Sequence, residues 1–274
     1  MMVWYLEYIL IDQLKKEKRK EKRKMAKIEI KDVLLNYEIK GEKGRSVILL
    51  HGWGQNIAMM DYIATFLAPH FIVYNMDLPG FGESTEPKYA WSVLDYVEFL
   101  HEFVEEFKIE EPILIGHSFG CRIALLYAYR YPVFKMVLTG AAGIKPKRSI
   151  RYYISVYSYK LGKIILKPFK GLSDRFRKNA GSSDYQNASD VMKGILIQAV
   201  NFDITPYLKD IETETLLVFG DKDDSTPLYM GKIMEEKMKD AALVVFENDD
   251  HFAYFHQGDR FNLVLEAFLK KYYA

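Results

Sequence analysis

The sequence predicts an α/β protein: a doubly wound, mostly parallel sheet with a helical cap inserted into it. Three observations carry this. Short apolar runs alternate with amphipathic stretches of helical period, the pattern that builds parallel sheets. The runs are apolar at nearly every position, as strands covered on both faces are. One of them, Pro112-Ile113-Leu114-Ile115, passes straight into Gly116-His117-Ser118-Phe119-Gly120, and a helix pattern follows at once.

Taken in order, Lys27–Ile30 and Val33–Ile39 alternate apolar and polar residues around Asp32 and read as two strands. Gly41 and Gly44 mark a turn. Ser46–Leu50 is the first fully apolar strand, followed by His51-Gly52-Trp53-Gly54 and a helix pattern over Met59–Leu67. Phe71–Met76 is the next buried strand and runs into Asp77-Leu78-Pro79-Gly80-Phe81-Gly82-Glu83-Ser84. Trp91–Phe107 has the period of a long amphipathic helix. The strand Ile113–Ile115, a helix over 119–131 and the strand Lys135–Thr139 complete the first half. At Gly143 the alternation stops. Residues 144–206 are helical in period, rich in Tyr and basic residues, and are expected to form a cap over the strand ends. The α/β core is then 25–143 plus 207–274. It resumes with the strand Thr215–Phe219, a helix Leu228–Met238, the strand Leu243–Phe246 and a helix from about Asp259 to Tyr273.

Composition narrows the class. Of the 274 residues 49% are apolar and 27% charged, the balance of a globular chain with a large core. A single cysteine allows no disulfide within the chain and suits a cytoplasmic, reducing setting. No apolar run reaches the ~18 residues of a spanning helix, so stable membrane insertion is not expected. Residues 1–24 are set apart by the run Lys-Lys-Glu-Lys-Arg-Lys-Glu-Lys-Arg-Lys at 15–24, which follows a short apolar patch. That order is the reverse of a secretory signal. The segment reads as a helical extension packed on the body or a partner, as a weak surface anchor, or as sequence upstream of a natural start at Met25. The remaining residues carry 30 basic and 33 acidic side chains, a net of −3, and nucleic-acid binding by the globular part is not expected. The oligomeric state is left open.

The chemistry concentrates at Ser118. A serine hydroxyl is a poor nucleophile unless it is lifted from the fold and set beside a base. A sharp strand-to-helix turn lifts it, and Gly116 and Gly120, without Cβ atoms, leave room for strand and helix to approach. Four motifs then resemble those of the α/β-hydrolase fold family, in that family's order: HGWG at 51–54, DLPGFGES at 77–84, GHSFG at 116–120, and GDKDDSTP at 220–227 with DDHF at 249–252. The likeness covers about residues 27 to 273.

The resemblance implies roles. Ser118 is the nucleophile. Of six histidines, His251 lies where the family keeps its base, and His256 is the rival. His117 and His51 read as structural, and His70 and His101 as surface or packing residues. The family spacing Gly, two residues, Asp, three residues, Pro selects Asp223 as the orienting acid, with Asp224 as runner-up; Asp221, Asp249 and Asp250 read as loop-shaping residues. Oxyanion donors are expected at the backbone N–H groups of Phe119 and Trp53. Asp77 is expected to bond backbone, and Cys121, inside the helix, to be a small buried side chain.

The substrate is expected to be a small molecule chosen by the cap. Tyr152, Tyr153 and Tyr157 are candidate pocket residues there, and Lys145, Lys147, Arg148 and Arg151 could receive an anionic group; an ordinary amphipathic helix explains the same stripe. No cofactor and no metal is expected. Three function classes follow: a serine hydrolase cleaving an ester or thioester through an acyl-enzyme, a C–C bond hydrolase or lyase-like enzyme on the same fold, and a non-catalytic binding member. The full set Ser118, Asp223 and His251 argues against the last, and serine at the elbow disfavours aspartyl-nucleophile chemistry.

Overall fold

A computed structural model describes residues 25–146 and 183–274. Residues 1–24 and most of the expected cap, with Lys147, Arg148, Arg151, Tyr152, Tyr153 and Tyr157, lie outside the described residues. In chain order the elements are β1 (Met25–Ile30), β2 (Val33–Lys40), β3 (Ser46–Leu50), α1 (Ile57–Leu67), β4 (Ile72–Met76), α2 (Val93–Glu106), β5 (Ile113–His117), α3 (Phe119–Arg130) and β6 (Lys135–Thr139). After it come α4 (Ser183–Asn187), α5 (Asp190–Asn201), a 3-10 turn at Thr205–Asp210, β7 (Thr215–Gly220), α6 (Leu228–Lys237), β8 (Ala241–Phe246), α7 (Ala253–His256), α8 (Gly258–Leu269) and a 3-10 turn at Lys270–Tyr272.

The strands form one sheet in the order β1-β2-β4-β3-β5-β6-β7-β8. β1 and β2 are a hairpin, and β2 lies antiparallel on β4; every other neighbour is parallel. Lys31 and Asp32 both have positive φ, 48° and 63°, as the two central residues of a twist-matched hairpin turn must. From β3 the chain moves first to one side, to β4, and then back across to β5. The strand order therefore reverses at β3, which opens a crevice at the carboxyl ends of β3 and β5.

The parallel strands are mostly apolar on both sides because both faces are covered; Asn75 is a buried polar exception in the interior of β4. Ile48, Leu50, Leu114, Leu138 and Phe219 face a core shared with α2, α3 and α6. Their neighbours Val47, Leu49, Ile113, Ile115 and Val218 face a second core with α1 and α8. The helices begin where caps permit. The Asn56 side chain accepts from the Ala58 N–H, so α1 starts two residues before the periodicity indicates. Ser92 and Asp95 form a capping box, which leaves Trp91 outside α2. The last helix ends at Leu269, and its final residues tighten into the 3-10 turn. The short helix α7 carries no long-period signal of its own.

Candidate active site

Ser118 sits between β5 and α3 with φ 48° and ψ −103°. A non-glycine residue pays on the order of 1–3 kcal/mol for such a backbone, and persists there only when its surroundings hold it. They do. The Ser118 N–H donates to the Thr139 carbonyl at 3.0 Å, and its carbonyl accepts from Cys121 N–H at 3.1 Å and Ala142 N–H at 3.4 Å. A Cβ on Gly120 would run into the Leu50 carbonyl, and one on Gly116 would lie 3.0 Å from the Cys121 nitrogen. The turn therefore depends on the two glycines flanking the serine.

Asp223 follows β7 and His251 follows β8. The parallel register of these strands, Thr215 against Ala241 through Gly220 against Phe246, delivers both loops to the same edge as Ser118. Asp223 Oδ2 lies 2.7 Å from His251 Nδ1. The carboxylate is buried and fully engaged. Its Oδ1 accepts the Ser225 and Thr226 N–H groups, each at 2.8 Å, and Oδ2 also accepts the Thr226 hydroxyl at 2.7 Å. Burial alone pushes this carboxyl up; the hydrogen bonds from His251 and Thr226 outweigh it and hold the group below the usual carboxylate range. With Nδ1–H donating to Asp223, a neutral His251 carries its free lone pair on Nε2. Asp224 is exposed and makes no hydrogen bond or ion pair among the described residues.

His256, the alternative base, is exposed and bonds Asp249 instead, Nδ1 to Oδ1 at 2.8 Å. Asp249, Asp250 and His256 bring potential metal-ligand atoms within 4.8 Å of one another. The Asp249–His256 bond, with the Gln257 amide donating to Asp249, occupies that loop. Asp221 accepts from the Asp249 N–H.

Ser118 and His251 line one cavity of about 490 Å³, together with Trp53, Phe119, Arg122 and Met230. Trp53 is fixed by edge-to-face contacts with Phe81 and Phe119, at centroid distances of 4.9 and 5.4 Å. The backbone N–H groups of Trp53 and Phe119 have no hydrogen-bond partner among the described residues. The surrounding loops are braced from below. His51 Nε2 accepts the Leu78 N–H at 2.9 Å, and burial pushes its imidazole down to about 4, so it is neutral. Asp77 accepts from Ile57 N–H, Glu83 N–H and the Asn36 amide, which ties the DLPGFGES loop to α1 and β2. Cys121 is fully buried.

His117 holds to Thr139, with Nδ1 at 3.0 Å from Oγ1, and burial drives its imidazole far below the ordinary histidine value. It also borders the cavity, its ring centroid 4.7 Å from that of His251, so its sequence position beside Ser118 does not carry it away from the site. Three contributors escape a reading of the sequence. Thr226 binds both Asp223 and the edge of His251, and its spacing three residues after Asp223 is the one signal that could have found it. Gly140, at φ 49°, leaves room for His251, since a Cβ there would lie 2.9 Å from Nδ1. Arg122 enters the cavity wall from within α3. No described helix is long and apolar enough to cross a membrane.

Comparison with known proteins matches the chain to a family. The family model for the alpha/beta hydrolase fold matches residues 45–257. The chain is 26% identical to the 2-hydroxy-6-oxo-6-phenylhexa-2,4-dienoate hydrolase of Comamonas testosteroni, over 90% of this chain and 95% of that one. Among solved structures it resembles the meta-cleavage product hydrolase of Pseudomonas fluorescens IP01, with TM-score 0.69 and 25% identity over 90% of this chain and 97% of that one. It also resembles an esterase from Exiguobacterium antarcticum, with TM-score 0.69 and 24% identity over 87% and 96% of the two chains; at that identity the likeness speaks for the fold. The family match spans well over half of the chain and includes the elbow, so the chain belongs to the α/β-hydrolase fold family and is a hydrolase.

Proposed function

We propose that the protein cleaves an ester or thioester of a small molecule through an acyl-enzyme on Ser118. The observation that carries this reading is the placement of three groups at one sheet edge: Ser118 and His251 line one cavity, and Asp223 Oδ2 lies 2.7 Å from His251 Nδ1. In the proposed reaction the Ser118 hydroxyl attacks the carbonyl carbon while His251 Nε2 takes its proton. The tetrahedral oxyanion is held by the N–H groups of Phe119 and Trp53, which have no other partner among the described residues. Collapse expels the alcohol or thiol, protonated by His251. Water, deprotonated by the same imidazole, then attacks the acyl carbon and releases the acid. Asp223 keeps the Nδ1–H tautomer and stabilises the imidazolium. We assign substrate selection to the segment 144–206 and keep Tyr152, Tyr153 and Tyr157, which lie outside the described residues, as its candidate pocket residues. The lone buried Cys121 suits a reducing compartment, and we place the protein in the cytoplasm.

A second reading is favoured by a specific observation. The Comamonas relative, similar along nearly its whole length, is named for hydrolysis of a dienoate, and C–C hydrolysis on the same site is equally compatible with the geometry. One experiment tests both. Wild type and Ser118→Ala are assayed on p-nitrophenyl esters of increasing acyl length and on 2-hydroxy-6-oxo-6-phenylhexa-2,4-dienoate, with fluorophosphonate labelling alongside. The ester reading expects labelling of wild type only and a loss in ester turnover of at least about 10³-fold in the variant. Turnover of the dienoate without esters moves the assignment to C–C cleavage. No turnover and no labelling overturns Ser118 as nucleophile.

A further inference from the structure

Arg122 is charged and buried at 7% exposure, yet its position does not favour a cation. It lies four residues into α3, near the positive end of the helix dipole, where a cation is disfavoured. Burial adds a desolvation cost, and that cost lowers the guanidinium to about 10, still charged at neutral pH. Compensation is thin. Among the described residues its single hydrogen bond runs from Nη1 to the Phe202 carbonyl at 3.0 Å. Asp203 lies near enough to favour the charge but is not within ion-pair distance, and its Oδ1 is engaged by the Thr205 N–H and hydroxyl. A guanidinium has five N–H donors in a planar fork suited to a carboxylate. This one faces the cavity that holds Ser118, beside apolar wall residues such as Leu196 and Val200. The other formally charged wall residue described is Asp184, which is exposed.

We infer that the Ser118 cavity takes a substrate bearing a carboxylate, and that Arg122 is the group that binds it. The inference deepens the ester reading above and rests on it for the reacting bond. Ser118 caps α3 and Arg122 follows one turn later, about 6 Å along the helix axis. A carboxylate a few carbons from the scissile carbonyl spans that separation, so dicarboxylic half-esters of four to six carbons, roughly one helical turn long, match it. Arg122 then determines specificity through substrate binding, and proton transfer stays with His251.

The test uses the full chain. Wild type is assayed on p-nitrophenyl hydrogen succinate, glutarate and adipate, each against the neutral ester of equal acyl length. At least one half-ester should be preferred about tenfold or more in kcat/KM, as a charge-assisted bidentate contact provides. Arg122→Gln should bring that ratio to near one, mainly through KM, and Arg122→Lys should restore part of it. A ratio of one or below in wild type, or a ratio unchanged in Arg122→Gln, overturns the inference. Binding keeps the two readings apart and needs no turnover. Titration calorimetry of Ser118→Ala with succinate, glutarate and adipate should show binding of at least one, and that binding should weaken about tenfold or more in Ser118→Ala/Arg122→Gln. If no ester is cleaved but the dicarboxylate binds through Arg122, only the ester reading fails. If no dicarboxylate binds, the anion inference fails, whatever the esterase activity. Should Arg122→Gln not fold, the wild-type ratio and the Ser118→Ala titration still decide.

Discussion

Asp223 and Asp224 are adjacent and chemically identical, and their surroundings separate them completely. Asp223 is buried with four hydrogen-bond donors arrayed on its two oxygens, one of them His251. Asp224 is in water. Asp223→Asn should therefore cut kcat by about 10³–10⁴-fold, because an amide no longer holds the productive tautomer or balances the imidazolium. Asp224→Asn should leave the rate within about twofold, as for other surface changes. Equal losses in the two variants would remove Asp223 from the proposed mechanism. The Asp223 carboxyl is held below the usual range and stays ionised at neutral pH, so the Asn variant removes a charge as well as an acceptor. At this scale the sequence names residue types and spacing. Only the family spacing ranks Asp223 above Asp224 there, because burial and donor count depend on where the loop turns.

Among the elements, the turn at Ser118 is the least tolerant of change. Gly120 abuts the Leu50 carbonyl at the end of β3, so β3, β5 and α3 meet with no space for a methyl group. Backbone on both sides cannot move as a side chain tip would. Gly120→Ala should cost more than about 3 kcal/mol, or about 10 °C in Tm, or prevent folding. A melt within about 2 °C of wild type would show that the elbow can relax. Most elements are legible in the chain. Ser46–Leu50 and Lys135–Thr139 are strands with the bounds expected from their apolar runs, because a strand covered on both faces is apolar at most of its interior positions. Helix starts are less legible. Periodicity places the first near Met59, whereas the Asn56 cap begins it at Ile57. The 3.6-residue period marks which face is buried, and the cap marks where the helix begins.

Across the whole molecule, the buried histidines make folding depend on pH. His51 and His117 are both fully buried, and burial lowers both imidazoles, His51 to about 4 and His117 well below its ordinary value. Unfolding returns each to about 6.5, so below that pH the unfolded chain binds protons that the folded chain refuses. The stability they confer is complete above about pH 6.5 and is lost as pH falls toward the folded values. For His51 alone the loss is on the order of 3 kcal/mol by about pH 4. Urea midpoints should therefore decline steadily between pH 6.5 and 4, and His51→Gln, at whatever stability it has, should flatten that slope. A stability constant over this range would contradict the burial of these rings.

The sequence by itself determined the alternation of apolar strands and amphipathic helices, and with it the sheet, the elbow at Ser118 and the family resemblance. These are local, since each depends on residues a few positions apart in the chain. Tertiary structure decided which groups meet. Strand pairing brings Asp223 to His251 across 28 residues, sets Thr139 and Gly140 of the β6 edge behind Ser118 and His251, and turns Arg122 toward the cavity. No periodicity encodes such meetings, because they depend on where separate strands end relative to one another. That is also why Arg122, a buried arginine in the first turn of a largely apolar helix, becomes the group from which we infer an anionic substrate.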